Sequence, residues 1–119
     1  MSQPRVLVAE DEFIVAIDLC DTVKEAGFDV EGPHPDVSSA MLSVQKHKPD
    51  LAILDVELDD GDSFQLAERL MEDNVPVIFH SGRFSRSEME ARYPNAISCA
   101  KPCPPNEILD KVQTALAAH

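Results

Sequence analysis

Val6, Leu7, Val8 and Ala9 run without a polar interruption into Glu10, Asp11 and Glu12, and this stretch sets the reading of the whole chain. A continuous rather than alternating apolar run is what a parallel β-strand needs when helices cover both of its faces. Runs of the same kind recur at Leu51 to Leu54, Val75 to Phe79 and Ala96 to Ala100, with helix-length segments between them. These four read as inner strands. A fifth run, Phe28 to Val30, is broken by Asp29 and reads as an edge.

The intervening segments carry helical periodicity. Phe13, Ile17, Cys20 and Val23, with Ala16 beside them, predict a first helix that ends at Gly27, where a left-handed residue is wanted. Val37, Ala40, Met41 and Val44 predict a second helix, stopped by Pro49. Phe64, Ala67, Leu70 and Met71 predict a third, capped by Asp62 or Ser63. The fourth, about Ser85 to Ala91, has only Met89 and Ala91 as apolar content and should be the least firmly packed. Ile108, Leu109, Val112, Ala115 and Leu116 predict a fifth over Glu107 to Ala118, after two prolines. Strict alternation with right-handed crossovers gives an α/β, doubly wound parallel sheet with helices on both faces.

The 119 residues suit one domain over residues 1–119, which should bury roughly 65% of its unfolded surface. With 44% hydrophobic and 27% charged residues and no apolar run of spanning length, neither disorder nor a membrane span is expected. A net charge of −12 would repel a polyphosphate backbone, so direct nucleic-acid binding is not expected either. Met1 to Ala9 lacks the pattern of a secretory leader, and a cytoplasmic location is expected. For that compartment, an odd cysteine count (Cys20, Cys99, Cys103) argues for thiols in redox or packing roles rather than a disulfide framework. Cys99, Cys103 and His80 are too irregularly spaced to point to zinc. His34, His47 and His119 read as surface residues, and Asp59 to Asp62 as a solvated loop and cap that could attract a second cation.

Ligands of such sheets bind beyond the carboxyl ends of the strands. Strand 1 delivers Glu10, Asp11 and Glu12; strand 3 delivers Asp55; strand 4 runs into His80, Ser81 and Gly82; strand 5 ends at Lys101 before Pro102. Singly, each has an ordinary role as a cap, turn residue or solvated lysine. Together they are a chemical set. Carboxylates about 4 Å apart repel by roughly 1–4 kcal/mol per pair, which a cation between them relieves. Oxygen-only donors favour Mg²⁺, and Mg²⁺ habitually shares such sites with phosphate oxygens. An Asp can accept a phosphoryl group while a Lys ammonium and a Ser hydroxyl hold its remaining oxygens.

In that order and spacing, Glu10-Asp11, Asp55, Ser81 and Lys101-Pro102 resemble the receiver domain of two-component response regulators across essentially the whole chain. The resemblance implies the flavodoxin-like receiver fold with strand order 2-1-3-4-5. It implies that Asp55 accepts a phosphoryl group from a histidine kinase or histidine phosphotransfer protein, with Ser81 and Lys101 completing the catalytic set. Mg²⁺ would be held by Asp11, Asp55 and the backbone carbonyl of Glu57, with Glu10 acting through water. A cis Lys101-Pro102 bond is implied too.

The chain also departs from the family. Asp59 stands where most receivers carry Pro, Ser98 replaces the usual aromatic rotor, and Cys103 replaces a Phe. Phe79 to Phe84 is similar to the FAT GUY pattern of a subgroup of stand-alone receivers, with His80 and Arg83 off-pattern. Glu57 and Arg83 should project from neighbouring strand ends, where they can pair. The expected role is a phosphoaccepting switch or relay without an output domain of its own, which catalyses only its own phosphoryl transfer and dephosphorylation. The alternative is a pseudo-receiver, a protein-binding module without phosphoryl turnover. A haloacid-dehalogenase-type phosphatase fits less well, because Glu57 is an imperfect second acid and no cap domain fits.

Overall fold

In the computed structural model, which describes residues 3–118, the first apolar run forms β1 (Arg5–Ala9), an inner strand of a parallel sheet. The chain continues through α1 (Phe13–Glu25), β2 (Asp29–His34), α2 (Val37–Lys46) and β3 (Leu51–Leu54). After β3 comes a short antiparallel hairpin of Glu57–Leu58 with Gly61–Asp62 that the sequence did not announce. α3 (Phe64–Glu72), β4 (Val77–Ser81), α4 (Arg86–Arg92), β5 (Ile97–Ala100) and α5 (Pro105–Ala117) complete the fold. His119 lies outside the described residues.

The sheet order is β2-β1-β3-β4-β5, as the resemblance implies. Only β1, β3 and β4 are therefore inner strands. The expectation of four fails at β5, which has no strand beyond its outer edge among the described residues. β5 nevertheless has both faces covered, with Ser98 buried on one and Cys99 on the other, so its sequence resembles that of an inner strand.

Because side chains alternate across a strand, each inner strand feeds two cores. Val6, Val8, Leu51, Ile53, Ile78 and Cys99 pack against Leu19, Cys20 and Val23 of α1 and Ile108, Val112 and Ala115 of α5. Leu7, Ala9, Ala52, Leu54, Val77 and Phe79 face Ala40 and Val44 of α2, Leu66, Ala67 and Leu70 of α3 and Met89 of α4. Burying each large side chain contributes roughly 1.5–3 kcal/mol, so truncating fully buried Ile53 to Ala should cost about 2–5 kcal/mol.

The helix boundaries follow local chemistry. α1 closes in a Schellman motif: Gly27, at φ +95°, donates to the Lys24 carbonyl and Phe28 donates to the Val23 carbonyl. Its buried stripe is Ala16, Leu19, Cys20 and Val23, not the expected Phe13 to Val23 set. Phe13 is 73% exposed and Ile17 39%, because the helix turns its Leu19 side to the sheet. α2 begins on Asp36, which accepts from Ser39 N at 2.7 Å. Asp60, in the exposed loop expected at Asp59 to Asp62, also accepts from Val37 N at 2.6 Å and Ser38 N at 3.1 Å. The first turn of α2 is thereby satisfied by two carboxylates. α4 is held by a Ser85/Glu88 capping box and buries only Met89. α5 starts two residues before the expected Glu107 because Pro105 occupies its first turn, where no amide hydrogen is needed.

His34 and His47 are not isolated surface groups. His34 Nε2 lies 3.4 Å from Glu31, and His47 Nδ1 contacts the Arg5 guanidinium, which also pairs with Glu31. The cysteines need a larger correction, because Cys99 and Cys103 are joined by a disulfide while Cys20 is free and buried. The free-thiol expectation rested on compartment and parity, whereas the turn from β5 into α5 brings the two Cα atoms to 6.2 Å, inside the range a disulfide spans.

Candidate functional site

The carboxyl ends of β1, β3, β4 and β5 meet at one rim. Asp55 follows β3, and its amide donates to the Ala9 carbonyl at 2.8 Å, which fixes it beside the end of β1. Ser63 does not cap α3 with its side chain. Its hydroxyl, fully buried, donates to the Asp55 carbonyl at 2.6 Å, while its amide donates to the Val56 carbonyl at 2.8 Å. Asp62 takes over the capping work, accepting from Phe64 N at 3.1 Å. The loop after Asp55 is thus clamped from behind.

Glu10, Asp11 and Asp55 present carboxylate oxygens within 4.8 Å of one another. Lys101 reaches into this group, its Nζ lying 2.7 Å from Glu10 Oε1, 3.0 Å from Asp55 Oδ2 and 3.0 Å from Glu12 Oε1. Its amide donates to the Ser81 carbonyl at 2.8 Å, which ties the base of the lysine to the end of β4. The Lys101-Pro102 bond is cis, as expected. Gly32-Pro33, at the β2 edge, is cis as well.

The electrostatics follow from burial. Glu10 is 2% exposed, and its pKa is pushed up to about 7 by desolvation, with the neighbouring Asp55 carboxyl adding to the rise and Lys101 opposing it. Desolvation works against the charge of Lys101, but Glu10, Glu12 and Asp55 outweigh it and hold the amine firmly protonated. His80, buried 3.8 Å from Glu10, is pushed down to about 4 by desolvation and by Lys101 beside it.

Ser81, at the end of β4, is buried, and its Oγ accepts from the amides of Arg83 and Phe84, both at 3.2 Å. Glu57 turns its side chain to the Arg83 guanidinium, so the expected pair forms between the segments that follow β3 and β4. Ser98 is buried and offers no ring. Phe64, Phe79 and Tyr93 cluster instead beneath α4, with centroids 5.4–6.2 Å apart.

All the residues singled out on the strand ends therefore meet at this rim. Three participants had not been assigned a part in it: Glu12 as a third partner of Lys101, Ser63 behind Asp55, and His80. Strand alternation contains the signal for His80, since it shares the face of Ile78, and that face leads under Lys101.

Comparison with known proteins gives this arrangement its class. A sequence profile described as "Response regulator receiver domain" matches residues 6–113. The chain belongs to the response regulator receiver domain family. It is similar to the transcriptional regulatory protein PdtaR of Mycobacterium tuberculosis, 28% identical over 95% of this chain, although it spans only 57% of that protein's length. Among solved structures it is similar to the receiver domain of the PhyR response regulator of Erythrobacter litoralis, with 28% identity, TM-score 0.87 and coverage of 98% of this chain and 92% of the other. The CheY-like receiver domain protein of Methanospirillum hungatei JF-1 has the same fold at 20% identity, with TM-score 0.87 over 98% and 96% of the two chains.

Proposed function

We propose that residues 1–119 act as one phosphoaccepting receiver domain in which Asp55 is the nucleophile. The observation that carries this reading is the Lys101 amine held between Asp55, Glu10 and Glu12 at the strand ends. The donor set suits a hard divalent cation, being all oxygen, closely spaced, and built around a buried Glu10 that burial alone disfavours as an anion. Asp11, Asp55 and the Glu57 carbonyl would hold Mg²⁺ directly and Glu10 through water. Mg²⁺, when bound, supplies neutralisation of charge developing on the phosphoryl oxygens.

An Asp55 oxygen attacks the phosphorus of a phosphohistidine, a P–O bond forms as the P–N bond breaks, and the imidazole leaves with the electron pair. Lys101 holds one equatorial phosphoryl oxygen and the Ser81 hydroxyl can turn to another. Hydrolysis of the aspartyl phosphate resets the domain. The phosphodonor is a histidine kinase or histidine phosphotransfer protein, and the output is a protein surface. The charge of −12 argues against a direct nucleic-acid contact. The proposed setting is the cytoplasm, where such donors present their phosphohistidines. Among the described residues no helix is long and apolar enough to cross a membrane.

The test is labelling by a small phosphodonor such as acetyl phosphate with Mg²⁺. Wild type should gain one alkali-labile, hydroxylamine-labile phosphoryl group and Asp55→Asn none. Undiminished labelling of Asp55→Asn would overturn the assignment.

A further inference from the structure

The segment Cys99-Ala100-Lys101-Pro102-Cys103 brackets the site lysine with the two bonded cysteines. Cys99 is 2% exposed in the core between the sheet and α5, whereas Cys103 is half-buried. Cys103 stands on the wall of a groove of about 520 Å³ between α1 and α5, with Lys101, His80, Leu19 and Ile108 also on its walls. The bond therefore has one fixed end and one accessible end. It closes a loop whose middle residue carries the amine that touches Asp55.

We propose that Cys99 and Cys103 are a redox-active pair whose oxidation state sets how Lys101 is held, and thereby the rate at which Asp55 accepts a phosphoryl group; the gating half rests on the function proposed above. Oxidation needs a low-molecular-weight disulfide such as oxidised glutathione. The Cys103 thiolate attacks one sulfur of that disulfide, forming a mixed disulfide and releasing one small thiolate. The Cys99 thiolate then attacks Cys103 Sγ, forming the internal bond and expelling the second. Two protein thiols are oxidised, one small disulfide is reduced to two thiols, and the two thiol protons pass to the departing thiolates. A small dithiol reverses the sequence. Cys103 is the first nucleophile because it faces the groove, and it lies just before α5, whose N-terminal dipole favours a thiolate.

Reduction has a mechanical consequence. Unbonded heavy atoms settle roughly 3.5–4 Å apart, so the two sulfurs must part when the bond breaks. Cys99 is locked in the packed core, and the displacement falls on Cys103, which has open groove beside it. That displacement is passed to the neighbouring Lys101, where contacts of 2.7–3.0 Å leave little tolerance. The oxidised form keeps the amine on Asp55. The reduced form loosens it.

The experiment uses the full chain equilibrated with oxidised glutathione or with dithiothreitol, then denatured and alkylated for intact mass. One alkylated thiol, Cys20, is expected after oxidation and three after reduction. In parallel, the rate of labelling by acetyl phosphate with Mg²⁺ should be at least about twofold higher for the oxidised form. Cys103→Ser, altered at the half-exposed end, should label at the reduced rate under both conditions, and Cys99→Ala should do the same. A thiol count that does not change between the two treatments overturns the redox chemistry. Oxidised labelling less than about twofold faster, or redox-dependent labelling that persists in both variants, overturns the gating. Labelling of neither form, with the thiol count switching as expected, overturns the phosphoacceptor reading and the gating with it.

Discussion

Two buried groups 3.8 Å apart should oppose each other in their effect on stability with pH, and single substitutions should uncover each in turn. Glu10 has its folded pKa raised from 4.5 to about 7, so the folded protein binds this proton more tightly than the unfolded chain. Its contribution is fully present below about pH 4.5 and is lost as the pH climbs through 7. His80 is depressed from 6.5 to about 4, so here the unfolded chain binds the proton more tightly. Its contribution is absent in acid and grows as the pH rises from about 4 to 6.5. Each corresponds to about 3 kcal/mol by linkage, reduced to about 1–2 kcal/mol by solvent screening at the mouth of the site. In metal-free wild type the two changes largely cancel.

The charged groups facing the pair are Lys101, Asp55 and Glu12, and neither substitution removes them. Urea unfolding in a chelator, between about pH 5 and pH 8, should therefore show Glu10→Gln gaining about 1–2 kcal/mol relative to wild type as the pH rises. His80→Gln should lose about as much relative to wild type over the same interval. Taking differences from wild type cancels the background from the other 21 of the 22 acids. Parallel curves for all three proteins would refute the reasoning, since they would mean that neither proton is held differently in the folded state. Mg²⁺ should restore wild-type stability at pH 8 and leave Glu10→Gln less affected, because under the proposed function ionised Glu10 would be the form that serves the cation.

Three further outcomes follow from the geometry. Lys101→Met should leave Glu10 and Asp55 without their shared cation, destabilising the metal-free protein by about 3 kcal/mol, and Mg²⁺ should stabilise this variant more than wild type in thermal melts. Glu57→Ala and Arg83→Ala should change stability by less than about 1 kcal/mol, yet alter the decay rate of the aspartyl phosphate by more than about twofold, because the pair ties the segment after Asp55 to the segment after Ser81. Hydrogen exchange with beryllofluoride and Mg²⁺ should change protection in residues 82–93, because α4 buries only Met89; changes confined to α1 or α2 would count against a signal route through α4.

Much of the architecture was legible because a parallel strand buried on both faces leaves an uninterrupted apolar run, and β1, β3 and β4 are such strands. The candidate site was legible because its members sit at or just beyond strand ends, Lys101 after β5 included. What escaped was set by three-dimensional neighbours. Helical spacing placed Phe13 and Ile17 on the stripe of α1, but spacing fixes only a periodicity, and the rotation about the axis was decided by Leu19 and Cys20 packing under β1 and β3. Asp60 is exposed as expected, but its hold on the first turn of α2 is invisible until that helix is placed opposite it, and Ser63 reads as a cap until its hydroxyl is seen to reach the Asp55 carbonyl. For Cys99 and Cys103 the sequence showed the separation of four, but the Cα distance depends on the turn between β5 and α5.

The absent rotor at Ser98 leaves open how the site would communicate, and the packing around Ser81 suggests an answer. Its Oγ holds two amides, those of Arg83 and Phe84. A hydroxyl turned to a phosphoryl oxygen becomes the donor in that bond and moves off the two amides, each worth about 0.5–1.5 kcal/mol. Arg83 is simultaneously held by Glu57, so the strain of release falls on Phe84. The Phe84 ring packs edge-on to Phe64 at 6.2 Å, and Phe64 in turn meets Tyr93, the residue that ends α4, at 5.5 Å. α4 buries only Met89 and is secured mainly by its capping box and the Tyr93 bond to Glu68 at 2.7 Å. A helix with so small an apolar anchor has a low cost of local reordering. The aromatic chain from Phe84 to Tyr93 can thus carry to α4 what a ring at Ser98 would otherwise carry to the edge of β5.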